Sequence, residues 1–197
     1  MPDLYKAGVL FRRACVYVAA AISLYAQPIA INLDPSKTRI EFTLADVLHT
    51  VHGTFKMKSG QLELNSEMNT ISGQVIVDAA SGESGNAARD RRMRNTFLEA
   101  DRYPEITFTA TGMEGMLSPN GSSSVTITGW FRIHGARHQL SVPMQIQMFG
   151  AQATAKGHFV VPYVAWGIKN PSTFILRVNQ QVDIDVTAVV SLVRNRN

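Results

Sequence analysis

Residues 86–108 read NAARDRRMRNTFLEADRYPEITF. This is the one segment dense in charge, and its two halves follow different periods. Ala88, Met93 and Phe97 can share one helical face, with Arg89, Arg91, Arg92 and Arg94 covering the rest. Asn86 or Ser84 would cap its start, because a short polar side chain there can accept from the first free N–H groups. Tyr103–Pro104 ends the irregular part, and Ile106–Thr107–Phe108 opens an alternating run. A lone helical turn between strand-rich regions is a plug, a lid or a crossover.

Upstream, Asp34–Pro35–Ser36 is a turn, and Ile40, Phe42 and Leu44 alternate with polar neighbours as in a half-buried strand. In VLHTVHGTFKMK (47–58), Val51, Gly53, Phe55 and Met57 share a parity, and mid-strand Gly53 predicts a bulge or tight bend. Ser59–Gly60 predicts a turn before Leu62 and Leu64. A strand from Ile71 to Val77 follows, then a small-residue loop over 78–86.

Downstream, 113–124 reads as a long turn with Pro119–Asn120–Gly121 at its tip. Val125, Ile127, Phe131 and Ile133 form a strand, and Gly135–Ala136 predicts a hairpin. Leu140, Val142, Met144, Ile146 and Met148 alternate until Gly150. Ala153 to Val161 and Val182 to Val190 carry the last two strands.

Roughly eight strands with frequent turns and one helical segment exclude βαβ organisation and predict an all-β fold. An antiparallel sheet of this size must hide its edges, and closure into an eight-stranded barrel removes them. Such a barrel is wide enough inside for packed side chains or one slender ligand. Patterning alone leaves both open.

The chain has 197 residues, 45% apolar and 17% charged, which suits one β-rich domain with a substantial core. Residues 1–26 read as a signal peptide: Lys6, Arg12 and Arg13 precede the apolar run Ala14–Leu24, and small Ala26 offers a cleavage point. The barrel domain would span 27–192, with 193–197 a short basic tail. Cleavage removes three basic residues and Asp3, taking the formal charge from +4 to +2. It also removes Cys15, the only cysteine, so neither a disulfide nor a thiol nucleophile is expected. The expected location is periplasmic or secreted. A nearly neutral exported domain does not suit nucleic acid.

Other chemistry finds little support. His49 and His52 lie three apart on a strand and face opposite sides, so no metal site is expected there. His134 and His138 flank a hairpin turn with no carboxylate close in sequence, and His158 stands alone. Asp183 and Asp185 share a strand face that reads as solvent-exposed. No nucleophile elbow or phosphate loop occurs, and no catalytic residue or cofactor is expected. The arginines at 89–94 either face solvent beside Asp90, Glu99 and Asp101 or grip an anionic headgroup at a membrane surface.

Several stretches resemble the YceI-like family of exported, lipocalin-like, polyisoprenoid-binding proteins. They are TRIEF (38–42), GTFKMKSG (53–60), RDRRMRNTFLEADRYPEITF (89–108), VTITGWFRIHGARHQL (125–140) and VDIDVTA (182–188). The chain departs from the family at Asp46, where a His is common, in the loop Ser81–Gly85, and at Asn170–Pro171. The resemblance implies a lipocalin-like, eight-stranded antiparallel barrel with the helical segment near one end, holding an isoprenoid or similar amphiphilic lipid. With the face assignment set by strand parity, the tail would lie along Phe42, Leu44, Phe55, Phe97, Phe108, Ile127, Phe131, Val142, Met144 and Phe159. Met57, Met93, Met113, Met116, Met144 and Met148 would adapt such a tunnel to different tails. Phe97 and Leu98 would face inward and the arginines outward, making the segment a lid. Transient membrane-surface contact and a homodimer through an apolar rim or sheet edge complete the expected partners. The alternative is an exported stress-related barrel with a filled core and a protein partner.

Overall fold

The computed structural model describes residues 28–45, 49–172 and 177–194. The predicted leader with Cys15, Asp46 and the last three residues of the tail lie outside them. Ten strand segments form one antiparallel sheet: β1 (Ile29–Leu33), β2 (Arg39–Ala45), β3 (Thr50–Phe55), β4 (Met57–Asn65), β5 (Thr70–Asp78), β6 (Glu105–Glu114), β7 (Gly121–Ile133), β8 (Ala136–Phe149), β9 (Gln152–Val161) and β10 (Val182–Arg194). Neighbours run β1-β4-β5-β6-β7-β8-β9-β10, and β10 pairs back onto β1. β2 continues β1 along the same edge of β10, and β3 leads into β4. The ten segments are therefore eight staves of a closed, lipocalin-like barrel, as expected.

The first stave is broken by a 3-10 turn, Pro35–Lys37. Asp34 accepts from the Ser36 hydroxyl and amide, and these bonds hold its carboxyl below the usual carboxylate range. β1 is a strand that the sequence reading missed. Ile29, Ile31 and Leu33 do alternate, but five residues between an apolar leader and a turn carry little periodic signal.

Other expectations need correction. Ser59 and Gly60 lie within β4, not in a turn, pairing with Ile76 and Val75, and a Cβ at Gly60 would sit 2.9 Å from Leu33 Cβ. Gly53 is not a bulge: it pairs in regular register opposite Phe42, whose ring occupies the space a side chain would take. The bulges fall between Met57 and Ser59 and between Ala110 and Gly112. The second lets Ala110 and Met113, of opposite parity, both reach the interior. β6 and β7 are longer than predicted, leaving only 115–120 as their turn; Ser122, Ser123 and Ser124 pair with Gln147, Ile146 and Gln145. The β7–β8 turn is His134–Gly135, one residue earlier than predicted, with φ of 50° and 79°. That left-handed pair is what two-residue hairpins prefer.

The charged stretch forms helix α1 (Ala87–Arg92) followed by a π-helical turn, Met93–Phe97. Asn86 Oδ1 caps α1 by accepting from the amides of Ala88 and Arg89. Ser84 instead bonds the Asp90 carboxylate and accepts from Arg89 Nε at 2.7 Å. The barrel end that carries this segment also carries the β2–β3, β7–β8 and β9–β10 connections. The far end carries the β4–β5, β6–β7 and β8–β9 turns, the start of β1 and the finish of β10.

Two buried clusters stabilise the barrel. One centres on Ile31, Leu64, Ile71, Val125 and Val190, the other on Leu98, Ile106, Phe131, Val161 and Ile168. Tyr163 belongs to the second, and its hydroxyl donates to Asn179 O at 2.5 Å across the β9–β10 connection. Burial raises the Tyr163 pKa above its usual 10.0. The native state therefore holds this proton more tightly than the unfolded chain, so its stabilising effect is complete below pH 10.0 and is lost as pH rises through the higher folded value. Urea unfolding across that range should show stability falling in the wild type. Tyr163→Phe should be weaker by about 0.5–1.5 kcal/mol at neutral pH for the lost bond, and should show a smaller alkaline decline.

Candidate functional site

A cavity of about 1430 Å³ runs through the barrel from the helical segment to the far-end turns. That exceeds the roughly 300–1,000 Å³ usual for small-molecule sites, so the hollow has room for a long occupant. Small residues of the inner wall contribute to it, Ala155 and Ala188 both lining the hollow. Ala153, Ala155 and Gly157 are successive inward positions of β9, and Ala188 stands beside Ala155 on β10. Where most strands send in Leu, Ile, Phe or Met, the alanines send in only a methyl group, while the space at Gly157 is taken by the Met144 side chain.

All ten residues assigned inward by parity line this cavity. Phe42, Phe131 and Val142 are buried, whereas Leu44, Phe55, Phe97, Phe108, Ile127, Met144 and Phe159 are only half-buried. Interior side chains that remain partly accessible are facing a hollow. The aromatic ones cluster toward the helical end: Phe42 and Phe55 have ring centroids 5.5 Å apart, Phe131 and Phe159 6.0 Å. Trp166, from the β9–β10 connection, lies 5.7 Å from Phe131 and stacks flat on His138 at 4.2 Å. The methionine expectation needs one correction. Met57, Met93, Met113, Met144 and Met148 line the cavity, but Met116 sits on the β6–β7 turn and is 84% exposed.

The π-helical turn faces Met93 and Phe97 inward, with Leu98 N bonding Met93 O at 2.9 Å. Met93 reaches over Gly82 toward Phe55; a Cβ at Gly82 would lie 2.4 Å from Met93 Cε. The arginines do not all point away from the opening. Arg89 and Arg92 border the cavity mouth with Ser84 and Lys169, and the Arg92 guanidinium lies 5.8 Å from the centre of the Phe97 ring. Arg91 and Arg94 are exposed and do not border it. Helical spacing separates the two pairs, Arg89 with Arg92 and Arg91 with Arg94 each lying three residues apart on its own face, a split the sequence reading did not make.

The remaining titratable groups lie apart from the cavity or at its edge. His52 Nδ1 lies 3.1 Å from the Thr43 hydroxyl on the neighbouring strand. His158 is not alone: on the barrel's outer face its Nδ1 meets Asp185 at 2.9 Å and its Nε2 lies 3.7 Å from Asp183. His134, expected to have no carboxylate nearby, has Glu99 Oε1 3.4 Å from its Nε2 and the Tyr103 ring against it. Among the described residues no group of three or more His, Cys, Asp or Glu is arranged to hold a metal ion.

A closed eight-stranded barrel around a long apolar channel defines the lipocalin-like class. A family model for the YceI-like domain matches residues 32–190, and the chain belongs to that family. Solved structures agree on the fold. BcnA from Burkholderia cenocepacia superposes with a TM-score of 0.68 at 21% identity, covering 80% of this chain and 98% of that one. A polyisoprenoid binding domain from Saccharophagus degradans, implicated in plant cell wall breakdown, gives 0.62 at 14% identity over 82% and 97%. A Campylobacter jejuni YceI protein gives 0.61 at 16% over 76% and 88%. No curated protein sequence matches the chain.

Proposed function

We propose that this barrel binds and carries one isoprenoid or similar amphiphilic lipid, without catalysis, in the periplasm or outside the cell after loss of residues 1–26. The observation that carries the reading is the long apolar cavity. The polyisoprenoid binding domain of Saccharophagus degradans, which shares the fold, supports it. A methyl-branched hydrocarbon fills such a channel without needing polar partners, and each buried CH₂ contributes about 0.8 kcal/mol. The alternative, a filled barrel acting through a protein partner, requires a closed core and runs against the cavity.

Native mass spectrometry of the protein mildly extracted from its host is the test, followed by uptake of added prenyl alcohols by stripped protein. A bound lipid, or saturable uptake at one molecule per barrel, is the expected result. Ligand-free protein with no uptake would sink the reading. Within that assay, Phe97→Ala should shorten retention more than Arg91→Ala combined with Arg94→Ala, since only Phe97 faces the channel.

A further inference from the structure

The barrel's two ends differ in kind. The helical end carries Arg89, Arg91, Arg92, Arg94, Arg102 and Lys169. The three turns of the far end, at 66–69, 115–120 and 150–151, carry one charged residue, Glu67, with Glu114 and Arg194 closing β6 and β10 beside them. Around that end stand Met68 (69% exposed), Met116 (84%), Phe149 (66%) and Val193 (46%), four of the five large apolar side chains most exposed among the described residues. Phe149 follows inward Met148 and so faces out at the last position of β8.

These tips are held in place. Asn69 Nδ2 donates to Gly115 O at 2.8 Å, tying the Met68 turn to the Met116 turn. Gly121 pairs with Met148, setting the Met116 turn beside Phe149, and Leu192 N donates to Ala151 O at 2.9 Å, joining that turn to β10. Leu117, Pro119, Ile29 and Leu192 continue the apolar surface from the rim into the cavity. The chain also enters the barrel here, with β1 starting at Ile29.

We infer that this far-end rim is a membrane-docking surface, whose apolar tips dip into the headgroup–acyl boundary and set the cavity's far opening against the lipid. Separate tips on separate turns suit a fluid interface, which needs no matching shape. A second copy would need a continuous complementary face of about 800 Å² per partner. The nearly uncharged turns can leave bulk water cheaply, whereas the arginine-rich end would have to stay outside the hydrocarbon. A tail entering from a bilayer then slides from acyl chains into the channel without crossing water. The inference rests on the lipid-carrying reading for its purpose, and the docking itself can be measured with no isoprenoid present.

The test is co-sedimentation of the leaderless protein with vesicles of phosphatidylcholine alone and with added phosphatidylglycerol. The expected result is partitioning onto both, persisting at high salt because it is not electrostatic. Met116→Asp with Phe149→Asp should lower the partition coefficient by about tenfold or more, and Arg91→Ala with Arg94→Ala should leave it unchanged. Phe149→Trp should gain quenching by brominated acyl chains. No binding to phosphatidylcholine, loss in the arginine variant instead, or a dimer in solution that the rim variant dissociates would each overturn the inference. Uptake of prenyl alcohol from detergent by the rim variant separates the two readings: if uptake persists while no form of the protein docks, only docking has failed.

Discussion

Ala155→Phe should abolish retention of a long lipid while leaving the barrel folded. Ala155 points into the cavity between Ile146 on β8 and Ala188 on β10, so a ring there enters the hollow at the second inward position of β9 from the far end. A tail stopped at that level forfeits its contacts beyond it. Losing even four or five methylene equivalents costs about 3–4 kcal/mol, or two to three orders of magnitude in affinity. Overpacking a filled core costs about 1–3 kcal/mol, but here the ring enters empty space, so the unfolding free energy should change by less than about 1 kcal/mol. Phenylalanine rather than tryptophan is the right choice, because an indole N–H in this apolar wall would find no acceptor. Uptake measured against prenyl chain length reads the result. Long tails should be excluded and short prenyl alcohols should still enter. Unchanged uptake of long tails would show that the lipid does not pass Ala155, and the channel would then have to be filled from one end only.

The prominence of that small-residue wall explains what could be read from the sequence and what could not. The barrel was legible because period-2 alternation runs through β7, β8, β9 and β10, where inward and outward sets differ sharply in polarity. The inward faces of Ile127 and Val142 follow from that alternation alone, and that of Phe42 from the same pattern in β2. The hollow was less legible. Ala155 and Ala188 read as ordinary strand positions, and only their pairing side by side turns two small residues into missing volume. The glycines were hardest. Gly53 and Gly60 carry a signal that fits a bulge, a turn or a close approach equally well, and what approaches them comes from elsewhere in the chain. The helical segment was legible in outline through its Asn86 cap, and the split between Arg92 at the mouth and Arg91 outside it follows from the ordinary helical step of α1, whereas the π turn that carries Met93 and Phe97 has no periodic signal of its own.

Gly53→Ala should destabilise the protein by about 1–3 kcal/mol and loosen the lid, a larger penalty than alanine ordinarily brings to a strand glycine. At most strand positions the change would be neutral or helpful, because glycine loses more backbone entropy on folding. Here a Cβ would lie 2.3 Å from Phe42 Cζ and 2.4 Å from the Glu83 carbonyl oxygen. The Phe42 ring is a side chain and can rotate at the expense of its packing against Phe55. The Glu83 oxygen is backbone and has nowhere to go without breaking its bond from Thr54 N, at 2.8 Å, and the return bond from Glu83 N to Thr54 O, at 3.0 Å. Those two bonds dock the segment ahead of α1 on the edge of β3, so the lid's hold on the barrel passes through the bare face of one glycine. Urea unfolding gives the stability change, and hydrogen exchange at Thr54 and Glu83 gives the location. Both amides should lose protection in the variant well before those of β7 and β8 do. Adding Phe42→Leu should recover the part due to the ring and none of the part due to the carbonyl. Full recovery in the double variant would mean that the clash lies with the ring alone and that the lid is held by its other bonds, Lys56 N to Ser81 Oγ and Asp78 N to Lys56 O.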